Sequence, residues 1–434
     1  MGGLEQFGPW ADLHPELLLS IADGLSLKHY ASIRGACPAW RSALPPPLPS
    51  LLVLVDGRRA SALSFLMQRP IHCSTLQTRS CFLGSSNGWF AVVSEYRLQI
   101  FLLNPLTGEE ISLLRIKNCG KRVRKVVFAP NPRPDDYTAV AICHGNKLAY
   151  SKTRDMKWFI SDVAMDRGDQ LIDLVYDTDG GKVYCLTECG DVHVLHIPRG
   201  RRRKPIVEPL LPERPFDPTA VLAPPYHTAS KLTRFKQIFI CNGSLYQVWR
   251  NATGNIAWRL PEGGRFSMSD NDIFVLRYDP GRRPCWDTVN DLGGYSVFIG
   301  KNNPAVVRAE DVPGVRANCV YWIDERWRDV PMVFDMVTRT SEPFVLPSAD
   351  SVQSPLCGTG CWYFFSDNIT SIDNNGRKQH MSGDADRSQE QQEAKRSNHL
   401  KAHSIIESRY AIVQLTGSGN SSPDMLGHIS NGSG

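Results

Sequence analysis

The sequence predicts a mainly β chain: antiparallel sheets in a β-propeller, preceded by a small α-helical module and followed by a disordered C-terminal tail. Three observations lead there. Helical spacing of apolar residues is confined to the first 44 positions. From about residue 50 to 370, short alternating apolar runs are bounded by turn residues. Beyond about Asp373, large apolar side chains become rare. The 434 residues, 42% hydrophobic and 21% charged, have a globular composition, and 34 glycines with 30 prolines favour turns over a long helical bundle.

The helical module carries two apolar stripes. Leu17, Leu18, Ile21 and Leu25 make the first; Leu27, Tyr30, Ile33, Cys37 and Trp40 make the second. Pro15 and Glu16 suit a first turn, where a missing N–H is harmless and a carboxylate meets the positive dipole end. Ser26 suits an N-cap. Gly24 falls within the first helix and Pro38 interrupts the third, both at some expense of helix stability. The run Pro45-Pro46-Pro47-Leu48-Pro49 stops helix formation and reads as a stiff spacer. The implied organisation is a helical module over 10–44, a Pro-rich linker over 45–50, a β domain over 51–372 and a mostly disordered tail over 373–434.

Within the β domain the clearest strands begin at Trp89, Leu98, Lys182, Asp191, Gln237 and Tyr295. Ser86-Asn87-Gly88, Asn104-Pro105, Asp179-Gly180-Gly181 and Asn242-Gly243 are the turns. Strand–turn–strand units follow one another without long helical patterns, so the sheets should be antiparallel. A faint repeat points to radial repetition. Phe101-Leu-Leu-Asn104-Pro-Leu-Thr107 resembles Val333-Phe-Asp335-Met-Val-Thr338, and Trp158 matches Trp258 as an aromatic strand at a similar point of its unit.

Several function classes fall away. The N-terminus has neither a basic nor an apolar leader region, and no run approaches the roughly twenty apolar residues of a membrane helix, so a soluble, intracellular chain of the nucleus and/or cytoplasm is expected. Its 12 cysteines are then expected as thiols. A net charge of +5 is too mild to suggest a nucleic-acid partner. Two basic runs, Lys117 to Lys125 and Arg199 to Lys204, read as loops that are either solvated or serve nuclear import or an acidic partner. Cys185, Cys189, His193 and His196 are close in sequence, but a strand sends His193 and His196 to opposite faces, so no metal site is expected. Cys357 and Cys361 flank a turn and read as buried thiols. No nucleophile elbow, zinc-protease helix or phosphate-binding loop is present, so neither catalytic residues nor a cofactor are expected.

The stretch Leu13-His-Pro15-Glu16-Leu17-Leu18, then Ile21, Leu25, Leu27, Tyr30, Ile33, Cys37 and Trp40, resembles an F-box. The remainder, through Ser85-Ser-Asn-Gly-Trp-Phe, Phe101-Leu-Leu-Asn-Pro-Leu-Thr-Gly, Lys125-Val-Val-Phe, Asn318-Cys-Val-Tyr-Trp-Ile-Asp and Val333-Phe-Asp-Met, is similar to the plant-specific, kelch-like β-propeller domain of KIB type found behind F-boxes. The resemblance implies a non-catalytic substrate-recognition subunit of an SCF-type ubiquitin ligase. The F-box residues just named would bind a Skp-type adaptor, and through it a cullin, while the propeller would hold a protein substrate that the sequence does not identify. Three alternatives stay open: a helical cap packed on the propeller, a non-degradative scaffold for a kinase or transcription factor, and a carbohydrate- or metabolite-binding propeller using Trp286, Trp322 and Trp327 on its rim.

Overall fold

The computed structural model describes residues 9–25, 27–44, 50–55, 59–64, 70–73, 80–94, 99–105, 107–116, 123–144, 146–153, 155, 157–198, 205–211, 218–312, 314–324, 330–344 and 361–364. Three short helices come first: α1 (Pro15–Asp23), α2 (Leu27–Arg34) and α3 (Pro38–Ala43). Gly24 does not weaken α1 from within. It caps the helix, its N–H returning to the Ile21 and Ala22 carbonyls. Pro38 likewise opens α3 instead of interrupting it, because the first helical residue needs no N–H partner. Cys37 precedes it as N-cap, its sulfur accepting the Trp40 N–H at 3.4 Å. Leu18, Ala22, Tyr30 and Leu44 form a small core shared by the helices. The cap expected at Ser26, the spacer 45–49 and the tail after 372 lie outside the described residues. Among the described residues, no helix is long and apolar enough to cross a membrane.

The β domain is built sheet by sheet. β1 (Ser50–Val55), β2 (Arg59–Ser64) and β3 (Pro70–Cys73) begin one sheet. β4 (Ser80–Ser86), β5 (Trp89–Ser94), β6 (Ile100–Leu103) and β7 (Glu110–Ser112) make the next. β8 (Val123–Phe128), β9 (Thr138–Cys143), β10 (Lys147–Lys152) and β11 (Phe159–Asp162) follow. Then come β12 (Leu171–Asp177), β13 (Lys182–Thr187), β14 (Val192–His196) and β15 (Ile206–Pro209). A short helix, α4 (Tyr226–Leu232), leads to β16 (Phe235–Cys241) and β17 (Ser244–Arg250). The ribbon β18 (Ile256–Arg259) and β19 (Arg265–Met268) interrupts that sheet before β20 (Ile273–Tyr278) and β21 (Trp286–Val289) complete it. A five-stranded sheet contains β22 (Tyr295–Phe298), β23 (Ala305–Arg308), β24 (Cys319–Asp324), β25 (Val330–Asp335) and β26 (Thr340–Pro343). Finally β27 (Cys361–Tyr363) returns to pair with β1.

This architecture is an antiparallel β-propeller. β27, β4, β8, β12 and β16 lie beside one another in succession as inner strands, and apolar clusters fill the spaces between successive sheets. The ring closes through a sheet of mixed origin, ordered β27-β1-β2-β3, with an inner strand from one end of the domain and three outer strands from the other. Alternating strand direction puts the connections into each inner strand at the same rim as those between second and third strands. β1 is a second strand, so the chain enters the ring from the opposite rim.

Two expectations need correction. β22 and β24 run parallel, with Val297 opposite Val320, because β23 pairs antiparallel on one side of β22 and the chain then passes to the other side to form β24. Trp158 and Trp258 are not equivalent: Trp158 leads into the outer strand β11, whereas Trp258 lies on the inserted ribbon. The other half of the repeat is structural. Phe101 and Val333 both lie on the strand before their sheet's outermost one, and Asn104 and Asp335 each fold the following turn by accepting a backbone N–H, at 3.3 Å from Thr107 and 3.1 Å from Thr338.

Candidate functional site

On the helical module, α1 divides its apolar residues between two faces. Leu18 and Ala22 face the core, and Leu18 is 1% exposed. Leu17 and Ile21, one turn apart on the neighbouring face, are 57% and 52% exposed. A helix advances 100° per residue, so a wide stripe necessarily straddles the core boundary. Of the other adaptor-face residues the sequence singles out, Pro15 is exposed, and Leu13, Leu25, Ile33, Cys37 and Trp40 are half-buried. Tyr30 is in the core. Leu27 opens α2, and its side chain is outside the described residues. Sequence reasoning overlooked Trp10 and Leu19, which are also exposed. The signal was the run Leu17-Leu18-Leu19, too long for one narrow stripe. The Trp40 indole N–H donates to the Trp10 carbonyl at 2.8 Å, tying Trp10 to α3.

The centre of the propeller is polar. Lys125 on β8 and Asp173 on β12 form a buried ion pair, and Lys125 also donates to the Gly300 carbonyl at 3.3 Å. Gln237 on β16 donates to the same carbonyl at 2.8 Å. Trp362 on β27 donates its indole N–H to Ile299 O at 3.0 Å, and Asn303 N–H donates to Ser85 O on β4 at 2.8 Å. The segment 299–303 thus bonds to inner strands on several sides and plugs the ring. Burial pushes the Asp173 carboxyl above the usual range, opposed by Lys125 and by the N–H groups of Ile238 and Leu174. Lys125 had been expected on a basic loop. A carboxylate from the neighbouring inner strand draws it inside instead. The second basic run, 199–204, lies outside the described residues.

The remaining sequence candidates disperse. Cys185 is buried opposite His193 in the β13–β14 register, while His196 points outward, 3.6 Å from Glu208. Among the described residues, no group of three or more His, Cys, Asp or Glu side chains is placed to hold a metal. Burial raises the thiol pKa of Cys185, Cys189, Cys241, Cys285, Cys319 and Cys361, the last two to about 11, which suits packing and not nucleophilic attack. Cys143 is disulfide-bonded, contrary to the all-thiol expectation. Cys357 lies outside the described residues, and Cys361, the first residue of β27, is the buried thiol expected of it. Nor are the named tryptophans a rim platform. Trp286 and Trp322 are buried, the latter under the Arg250 guanidinium at 4.2 Å, and Trp327 is outside the described residues.

An F-box protein of Arabidopsis thaliana, At2g05970, is 23% identical over 372 residues, covering 77% of this chain and 91% of that protein. Among solved structures, the β-propeller domain of Myceliophteria thermophila Cps50 (Swd1) aligns over 68% of this chain and 85% of its own, at 8% identity and a TM-score of 0.35. Kluyveromyces lactis Hsv2 aligns over 55% and 69%, at 15% identity and a TM-score of 0.29. The family model of the KIB1-4 β-propeller matches residues 63–339, well over half of the sequence. The chain belongs to the KIB1-4 β-propeller family.

Proposed function

We propose that this chain is the substrate-recognition subunit of an SCF-type ubiquitin ligase. Its N-terminal helices dock on a Skp-type adaptor, which connects it to a cullin, and its propeller holds a protein substrate. The protein itself catalyses nothing; it supplies proximity and orientation. The observation that carries this reading is the division of α1. A module with a complete small core of its own still leaves Leu17 and Ile21 exposed beside each other, as a partner's apolar groove requires. Burying each is worth about 1.5–3 kcal/mol. α2 lies beside β3, so the helices also meet the β domain, but that contact leaves the Leu17 and Ile21 face of α1 open. Entry of the chain at one rim leaves the opposite rim for substrate.

The test is the double variant Leu17→Lys, Ile21→Lys. Two ammonium groups in an apolar groove cost several kcal/mol, so adaptor pull-down should fail. The substitutions lie on a solvent-facing surface, so the melting temperature and substrate capture should be retained. Wild-type adaptor recovery by the double variant would sink the ligase reading.

A further inference from the structure

The crevice between the sheet β12–β15 and the sheet containing β16, β17, β20 and β21 holds a partly open cavity of about 300 Å³, with α4 along one side. Its apolar wall is Val192, Leu210, Leu222 and Trp286, and its polar wall includes His227 and Ser230. Nothing in the ligase reading uses it.

The cavity is rigidly built. Trp286 N–H donates to Val221 O and Cys285 N–H to Ala220 O, each at 3.0 Å, which fastens the segment carrying Leu222 beside Trp286. The Lys236 ammonium, buried behind α4, donates to Glu188 O at 2.5 Å, Ser230 O at 2.6 Å and Thr233 O. It pins the helix to the β13–β14 turn. At that turn Gly190 has φ +93°, and a Cβ there would lie 3.3 Å from both Ser230 Oγ and Trp249. A site held this firmly loses little freedom when filled.

We propose that this crevice is a ligand site for an aromatic ring with a hydrogen-bonding edge, a phenol or an indole. Its source is either a side chain of a protein partner or a small free molecule. The volume is at the lower end for ligand clefts, roughly 300–1,000 Å³, and more than one aliphatic side chain fills. Trp286, 3% exposed and packed on Tyr278, adds only a small aromatic contact to that wall. His227, held below its ordinary pKa by burial and then by Lys231, is neutral near pH 7 and offers one donor and one acceptor to a ring's polar edge. Lys231 lines the cavity together with Asp166 and Asp191, and mixed signs disfavour a multiply charged ligand. The protein-partner source rests on the substrate-receptor reading; the small-molecule source does not.

The experiment uses the full chain with p-cresol and indole as free probes, and capped Gly-Gly-Tyr-Gly-Gly and Gly-Gly-Trp-Gly-Gly as peptide probes. Toluene and the leucine pentapeptide are the controls. Dissociation constants come from ligand-observed NMR, with adaptor pull-down run on the same samples. The ring probes should bind at least tenfold tighter than the leucine peptide. Leu210→Trp, which narrows the cavity, should weaken binding at least tenfold while leaving the melting temperature in place. His227→Leu should erase the preference for p-cresol over toluene. Free rings binding without the pentapeptides assigns the site to a small molecule; pentapeptides binding tenfold tighter assigns it to a protein anchor. The proposal is overturned if no ring probe binds at millimolar concentration, or if the folded Leu210→Trp variant binds as wild type does. Lost adaptor capture with retained probe binding would count against the ligase reading alone.

Discussion

The helical module and the propeller solve opposite problems with the same kinds of side chain. The module hides a handful of apolar residues and leaves Leu17 and Ile21 in water. The propeller hides its apolar residues between sheets and then buries charge, Lys125 against Asp173, at its centre. A small domain cannot enclose all its apolar surface, and what it leaves outside is available to a partner. A closed ring has an interior that only polar groups of several strands, arriving together, can satisfy. Exposure is thus informative in the module, and burial is informative in the ring.

Removing the closing strand should separate the two regions most sharply. A chain ending at 358 lacks β27 and leaves β1 without its inner neighbour. It should lose the cooperative propeller transition in calorimetry. A chain ending at 372 should keep the transition, since the tail has too few apolar residues to contribute a sheet. An insoluble 372-residue chain would show that closure needs the tail.

The next effect concerns the centre. Lys125→Met or Asp173→Leu alone strands a buried charge and should cost about 3–5 kcal/mol in denaturant unfolding. The double variant should recover most of that loss. Equal losses in all three would mean that the pair merely fills space. Adaptor recovery should be unchanged throughout.

The smallest effect lies in the module. Leu18→Ala opens a cavity worth about 2–4 kcal/mol locally. It should fray α1 by amide exchange and lower adaptor affinity without moving the propeller's melting temperature. Coupled melting of both regions would show that they share one cooperative unit.

The local grammar of the fold was legible. Asn87-Gly88 and Asn242-Gly243 adopt the positive φ values, 43° and 79°, then 47° and 69°, that tight hairpins need. The Asn104 and Asp335 turns could be matched from side-chain chemistry alone. What could not be read is whatever depends on distant partners. Lys125 looks like any surface lysine until Asp173, from another sheet, appears beside it. The plug at 299–303 exists only because inner strands surround it. Between Leu17 and Leu18 on the candidate docking helix, periodicity offers no choice, because only the position of Tyr30 and Leu44 decides which leucine is inside.

The mixed closing sheet bears on how the protein is made. Synthesis delivers β1, β2 and β3 about three hundred residues before β27. Throughout that interval the edge of β1 has no inner partner. An unpaired strand edge is a template for wrong pairing, and a nascent chain keeps it uncovered for roughly 15–60 s at ordinary elongation rates. The ring can therefore close only after its last strand has been made, and until then the first-made sheet waits with one edge open.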